Sequence, residues 1–141
     1  MMSELSDPTK TMPILVCGAH LSGMPLHHQL QERSAILREE TTTSKCYRLF
    51  ALPGGKRPGL IRDESIENKY KTSPIEVEVY NIPQIHVGTF LASIPYPLGL
   101  GKVELISGEW VTGFICAQNS LKDAEEVTMY KGWRAYHAAT S

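Results

Sequence analysis

The sequence has no CxxC pair, no GxGxxG run and no P-loop, and each absence removes a class of function. Its three cysteines, Cys17, Cys46 and Cys116, are widely spaced and odd in number. That spacing suggests neither a zinc ribbon nor a thioredoxin-like site. Reduced thiols and a cytoplasmic location are expected. Lys56 follows Gly54-Gly55 with no Ser or Thr behind it, so no phosphate cradle of the P-loop type is formed. Net charge is also small: 14 Lys and Arg against 15 Asp and Glu leave −1. Nothing in that balance favours nucleic acid or an anionic membrane, and Lys56-Arg57 is too short a basic stretch to change it. Long apolar runs are missing. The longest near the N-terminus, Pro13 to Gly18, could form neither a signal-peptide core nor a membrane span.

What is present fits one folded unit. The chain has 141 residues, 42% of them hydrophobic and 21% charged, enough for a single core. Residues 1–12 are expected to be a disordered tail and 13–141 one domain. Met12 to Cys17 reads as a buried first strand ended by Gly18. Pro25 marks a helical turn that carries Leu26 and Leu30, and Ala35 to Thr43 has the polar character of an edge strand. Tyr47 to Leu52 and Pro58 to Ile61 read as two further strands. Ile75 to Tyr80 alternates with period two, placing Ile75, Val77 and Val79 on one face and Glu76, Glu78 and Tyr80 on the other. Asn81-Ile82-Pro83 is expected to stop it. A helix is expected over Pro83 to Ser93, with Ile85, Phe90 and Leu91 as partial core positions. Lys102 to Ile106 and Trp110 to Cys116 form a hairpin around Ser107-Gly108, and Asp123 to Ala139 is amphipathic. Short strands with few, short helices predict an α+β domain on a small mixed β-barrel.

Five features carry possible chemistry. The loop Gly18-Ala19-His20-Leu21-Ser22-Gly23 follows a buried strand, where backbone N–H groups can converge on an anion; from spacing alone a plain tight turn is the more ordinary reading. His20, His27 and His28 cluster there and titrate near neutrality. Adjacent His27 and His28 cannot easily face one ion, so no metal is expected. Glu78 lies mid-strand between two valines. If enclosed, its pKa should rise, suiting a general acid or base; if Glu76 and Glu78 both face solvent, it is only a polar strand face. Tyr47 and Tyr80 offer hydroxyls to a ligand or rings to the core. Pro95 to Gly101 is a stiff loop whose glycines permit close backbone approach.

The run Val16-Cys17-Gly18-Ala19-His20-Leu21-Ser22-Gly23-Met24-Pro25-Leu26-His27-His28-Gln29-Leu30 resembles the opening of the allophanate hydrolase C-terminal domain. Tyr47 to Pro53, Ile75 to Tyr80, Ile94 to Gly101, Gly113 to Cys116 and Gly132 to Tyr136 resemble its later signatures in order, together covering residues 13 to 137. The resemblance implies a γ-glutamylcyclotransferase-like fold. It also implies that the loop after the first strand binds a substrate carboxylate through its amides. The superfamily's acid maps onto Glu78, with Tyr80 beside it, and the histidine of the family's "NHQ" onto His28. Cys17 stands where the wider superfamily has a loop tyrosine, which counts against γ-glutamyl cyclisation.

On this resemblance the chain is expected to stand alone from the amidase part of such enzymes. It is then expected to decarboxylate a small N-carboxylated metabolite of the N-carboxycarbamate type, without a cofactor. His28 and Glu78 would be catalytic, and Gly18, Ala19, His20, Leu21, Ser22, Tyr47 and Tyr80 would bind substrate. Two other readings stay open. One is the same fold repurposed as a cyclase, isomerase or cyclotransferase. The other is a non-catalytic module that docks on a separate amidase or forms a homodimer, with Trp110 and Trp133 as anchors.

Overall fold

The computed structural model describes residues 9–141. The first strand, β1 (Thr11–Val16), begins two residues before the expected domain start; of the rest of the expected tail, residues 1–8 lie outside the described residues. Ile14, Leu15 and Val16 are fully buried because β1 runs through the middle of a sheet covered on both faces. It pairs antiparallel with β5 (Glu76–Pro83) and parallel with β7 (Trp110–Cys116). The five-stranded sheet has the order β2-β5-β1-β7-β6, with β2 at Ile36–Thr42 and β6 at Leu98–Glu104. A three-stranded sheet, β4-β3-β8, is built from Pro58–Arg62, Tyr47–Ala51 and Glu125–Glu126. Full burial of a large aliphatic side chain contributes about 1.5–3 kcal/mol, so a continuous apolar run is what a central strand requires.

The two edges of the larger sheet meet at one bridge, Thr43 to Leu105. Ser44 N–H donates to the Glu104 carbonyl at 2.9 Å and Ile106 N–H to the Thr42 carbonyl at 3.0 Å. The α+β class is therefore as expected, while in place of a closed barrel there is a mixed five-stranded sheet, whose edges touch at this one bridge, and an antiparallel three-stranded sheet.

Several boundaries differ from expectation. Asn81-Ile82-Pro83 does not stop β5, because Asn81 pairs with Pro13 and Ile82 with Met12. Pro83 sits at the strand's last position, where its missing N–H removes no central ladder bond. β6 begins at Leu98, so the second half of the supposed stiff loop is strand, paired from Leu98–Cys116 to Glu104–Trp110. The segment after β5 is a 3-10 turn at Gln84–His86 followed by α2 (Val87–Ala92). Only Phe90 there is buried, Ile85 and Leu91 being 43% and 41% exposed. The turn after Pro25 is helical only over α1 (His28–Gln31), anchored by buried Leu30. The amphipathic C-terminal stretch divides in two: Lys131 takes a left-handed φ of 62°, and the helix α3 spans Trp133–Thr140.

Candidate functional site

The chain leaves β1 at Cys17 and folds back at once. Leu21 N–H donates to the Gly18 carbonyl at 3.0 Å, and Leu26 N–H to the Ala19 carbonyl at 2.8 Å. A Cβ on Gly18 would lie 2.2 Å from Pro58 Cγ, so only glycine lets the loop rest against the start of β4. Among the described residues, these turn bonds use the loop's carbonyls and leave the N–H groups of Gly18, Ala19 and His20 unengaged. Those three residues, with Cys17, Arg57 and Phe114, line a small cavity of about 50 Å³ whose other walls are mainly apolar.

His20 is nearly buried, 9% exposed. Its Nε2 lies 2.8 Å from the Gln29 amide oxygen. That oxygen can only accept, which puts the ring proton on Nε2 and leaves Nδ1 a lone pair. The ring stacks on Phe114, with centroids 5.7 Å apart, and meets Phe90 edge-on. Burial lowers its pKa, opposed by the Gln29 bond and reinforced by His27, His28 and Arg33. His20 is therefore mainly a neutral imidazole at pH 7. Cys17, also on the cavity wall, is pushed up to about 12 by burial and by Cys116, which keeps it a thiol.

Glu78 occupies a different setting. It is 1% exposed and its carboxylate is fully engaged. It accepts from Ser22 N–H at 2.8 Å, Ser22 Oγ at 2.8 Å, Tyr80 Oη at 2.9 Å and Arg134 at 2.8 Å. Burial raises its pKa, but the bonds from Arg134, Ser22 and Tyr80 prevail and the net direction is downward. The expected rise is thus corrected: enclosure came with enough donors to hold the acid ionised. Arg134 also donates to the Ser22 carbonyl at 2.7 Å and pairs with Glu76 at 3.1 Å.

The structure does not bring His28 and Glu78 together. The His28 side chain is 54% exposed and pairs with Glu32 one helical turn on, because α1 presents Leu30 inward and His28 outward. The Leu21 side chain is fully buried in the core. The Tyr47 ring is also core, and its hydroxyl accepts from Glu104 N–H at 2.9 Å. Ser22 and Tyr80 serve Glu78. His27 reaches back to the His20 carbonyl at 3.0 Å. Gly18, Ala19 and His20 alone among the expected residues line the small cavity. Trp133 has no exposed surface and cannot anchor a partner, whereas Trp110 is 51% exposed and stacks under Arg62.

Two arginines carry weight that the sequence reading did not assign. Arg57 is one of the residues lining the cavity, and its guanidinium donates to the Tyr96 carbonyl at 3.1 Å. Arg134 is separated from Ser22 by 112 residues. A mid-strand acid between valines signals that a buried cation must answer it, and Arg134 sits in a segment already matched to the family.

The allophanate hydrolase C-terminal domain model matches residues 12–138. Urea amidolyase of Saccharomyces cerevisiae is 44% identical over 135 residues, which cover 92% of this chain and 7% of that protein. The crystal structure of Kluyveromyces lactis allophanate hydrolase superposes with a TM-score of 0.86 at 38% identity, over 94% of this chain and 22% of that one. The chain thus spans only a small part of these relatives. A uropathogenic E. coli-specific protein of known structure matches with a TM-score of 0.83 at 26% identity, over 92% of this chain and 97% of its own. More distant structural matches place the architecture in the γ-glutamylcyclotransferase-like fold. No helix among the described residues is long and apolar enough to cross a membrane.

Proposed function

We propose, from the premise that the chain belongs to the allophanate hydrolase C-terminal domain family, that its small cavity binds an N-carboxylated metabolite and releases carbon dioxide from it. One arrangement carries the reading: Gly18 and Ala19, with unengaged amides, line one cavity together with Arg57, neutral His20 and mainly apolar side chains. The amides of Gly18, Ala19 and His20 and the Arg57 guanidinium hold one carboxylate. The second carboxylate lies against the apolar wall, where loss of hydration favours its departure. The C–N bond breaks, its electron pair stays on nitrogen, nitrogen takes a proton, and carbon dioxide leaves.

Among the lining groups, His20 has the ordinary titration range closest to neutrality. Nδ1 takes the proton from solvent and passes it to nitrogen, while Nε2 stays on Gln29. Glu78 and Arg134 position the loop without touching the substrate.

The experiment supplies allophanate to a separate allophanate amidase in excess, which generates the N-carboxylated product in place. Carbon dioxide release is then followed with and without this chain. Acceleration is expected, with His20→Ala losing roughly 10²-fold and His28→Ala unchanged. Absence of any acceleration would remove the catalytic reading.

One observation favours the non-catalytic alternative: the acid matched to the superfamily's catalyst is saturated by protein donors. In that case a pull-down retains a separate amidase and the decarboxylation assay stays flat.

A further inference from the structure

Beside the small cavity lies a larger groove of about 580 Å³, lined by Met24, Pro25, Lys56, Trp133 and His137 together with three residues of the first cavity, Ala19, Leu26 and Arg57. Its volume falls in the range of sites that enclose organic ligands. The walls are mostly apolar, and the only charged side chains on them are two cations, Lys56 and Arg57.

Two residues of the groove hold nitrogen atoms with no partner. Trp133 has no exposed surface, and its Nε1 is buried without an acceptor among the described residues. His137 Nε2 is likewise buried and unpartnered. The two rings meet edge to face with centroids 4.9 Å apart. Buried indole N–H groups normally find an acceptor, so this wall of the groove is backed by two unmet nitrogens, while its accessible polar character comes from Lys56 and Arg57. Lys56 and Arg57 end a tight loop in which Gly54 and Gly55 take φ values of 95° and 68°. That backbone favours glycine, and both cations that follow it line the groove.

We infer that this groove is a second binding site, for an organic anion that carries its carboxylate on an apolar, planar body. The carboxylate meets Lys56 and Arg57, and the body lies on Met24, Pro25 and Leu26. Arg57 belongs to both sites, so occupancy of the groove draws on the same guanidinium that faces the small cavity. The inference does not depend on decarboxylation, since it rests on the groove's volume, its apolar lining and its two cations.

Phenylacetate is the probe, with phenylacetamide as its uncharged counterpart and acetate as the anion without a body. Binding is read from the indole N–H resonances in a proton–nitrogen correlation spectrum, and Trp110→Phe assigns the Trp133 signal. Phenylacetate is expected to shift the Trp133 resonance saturably. Phenylacetamide and acetate should bind at least about threefold more weakly, and Lys56→Glu should weaken phenylacetate by roughly threefold or more, as loss of a rim charge does. Lys56 is exposed and outside every strand, so the variant keeps the fold. An unmoved Trp133 resonance, equal binding of the amide, or unchanged affinity in Lys56→Glu would each overturn the inference.

Discussion

Arg134 and Glu78 form an ion pair 2.8 Å long between the last helix and the middle of β5, and the same guanidinium holds the Ser22 carbonyl. One cation therefore serves a buried acid and the loop that forms the cavity. Without it Glu78 would keep its donors from Ser22 and Tyr80 but have no charge to balance its own.

Arg134→Ala should destabilise the protein by about 2–4 kcal/mol, below the full cost of breaking a buried pair because the arginine is partly hydrated. The urea midpoint reads this directly. Arg134→Lys should recover only part of the loss, since an ammonium cannot reach Ser22 and both glutamates in one plane. A loss under about 1 kcal/mol would rank the contact with ordinary surface pairs.

Stability should fall on acidification in two stages. His20 has a folded pKa below its usual 6.5, so between pH 6.5 and that lower value the unfolded chain binds more protons and gains ground. Glu78 has a folded pKa below 4.5. Its contribution is present above 4.5 and is lost as pH drops through the folded value. Asp63 and Glu126, held by Ser65 and Arg48 respectively, shift in the same direction. Urea midpoints at pH 8, 5.5 and 3.5, as a set of working conditions chosen around about 6.5 and about 4.3, should decline in that order. His20→Asn should flatten the first stage and leave the second.

Gly18→Ala should disturb both fold and cavity, because the new methyl would meet Pro58 at 2.2 Å. Overpacking of this kind costs about 1–3 kcal/mol, and the displaced loop would no longer present its amides. Gly88→Ala in α2 is the control. A Cβ there meets nothing within 4 Å, so it should be neutral or stabilise by up to about 1 kcal/mol. Thermal melts of the two variants check both outcomes.

The sequence displayed β1 and β5 clearly because apolar runs and period-two alternation are local signals. It showed less of what covers them. Alternation predicted one polar face on β5, yet Glu78 and Tyr80 are as buried as Val77 and Val79; a second covering layer leaves no mark in the strand's own pattern. His28 carried the family resemblance, but the four-residue length of α1 and the inward turn of Leu30 place it in solvent. His20, named only as a binder, proved to be the enclosed imidazole. Its partner Gln29 lies nine residues away, and no periodicity links the two. Arg57 was dismissed as part of a short basic stretch because its role depends on where the β3–β4 turn folds.

The ties from Arg134 to Ser22 bind an early segment to one made 112 residues later. On a ribosome, chain leaves from N- to C-terminus, so the Gly18 to Ser22 loop must wait, unlatched, until Arg134 has been added. Its final form is set only when the Trp133–Thr140 helix emerges. Whatever the loop binds, nascent chains shorter than that should not hold it.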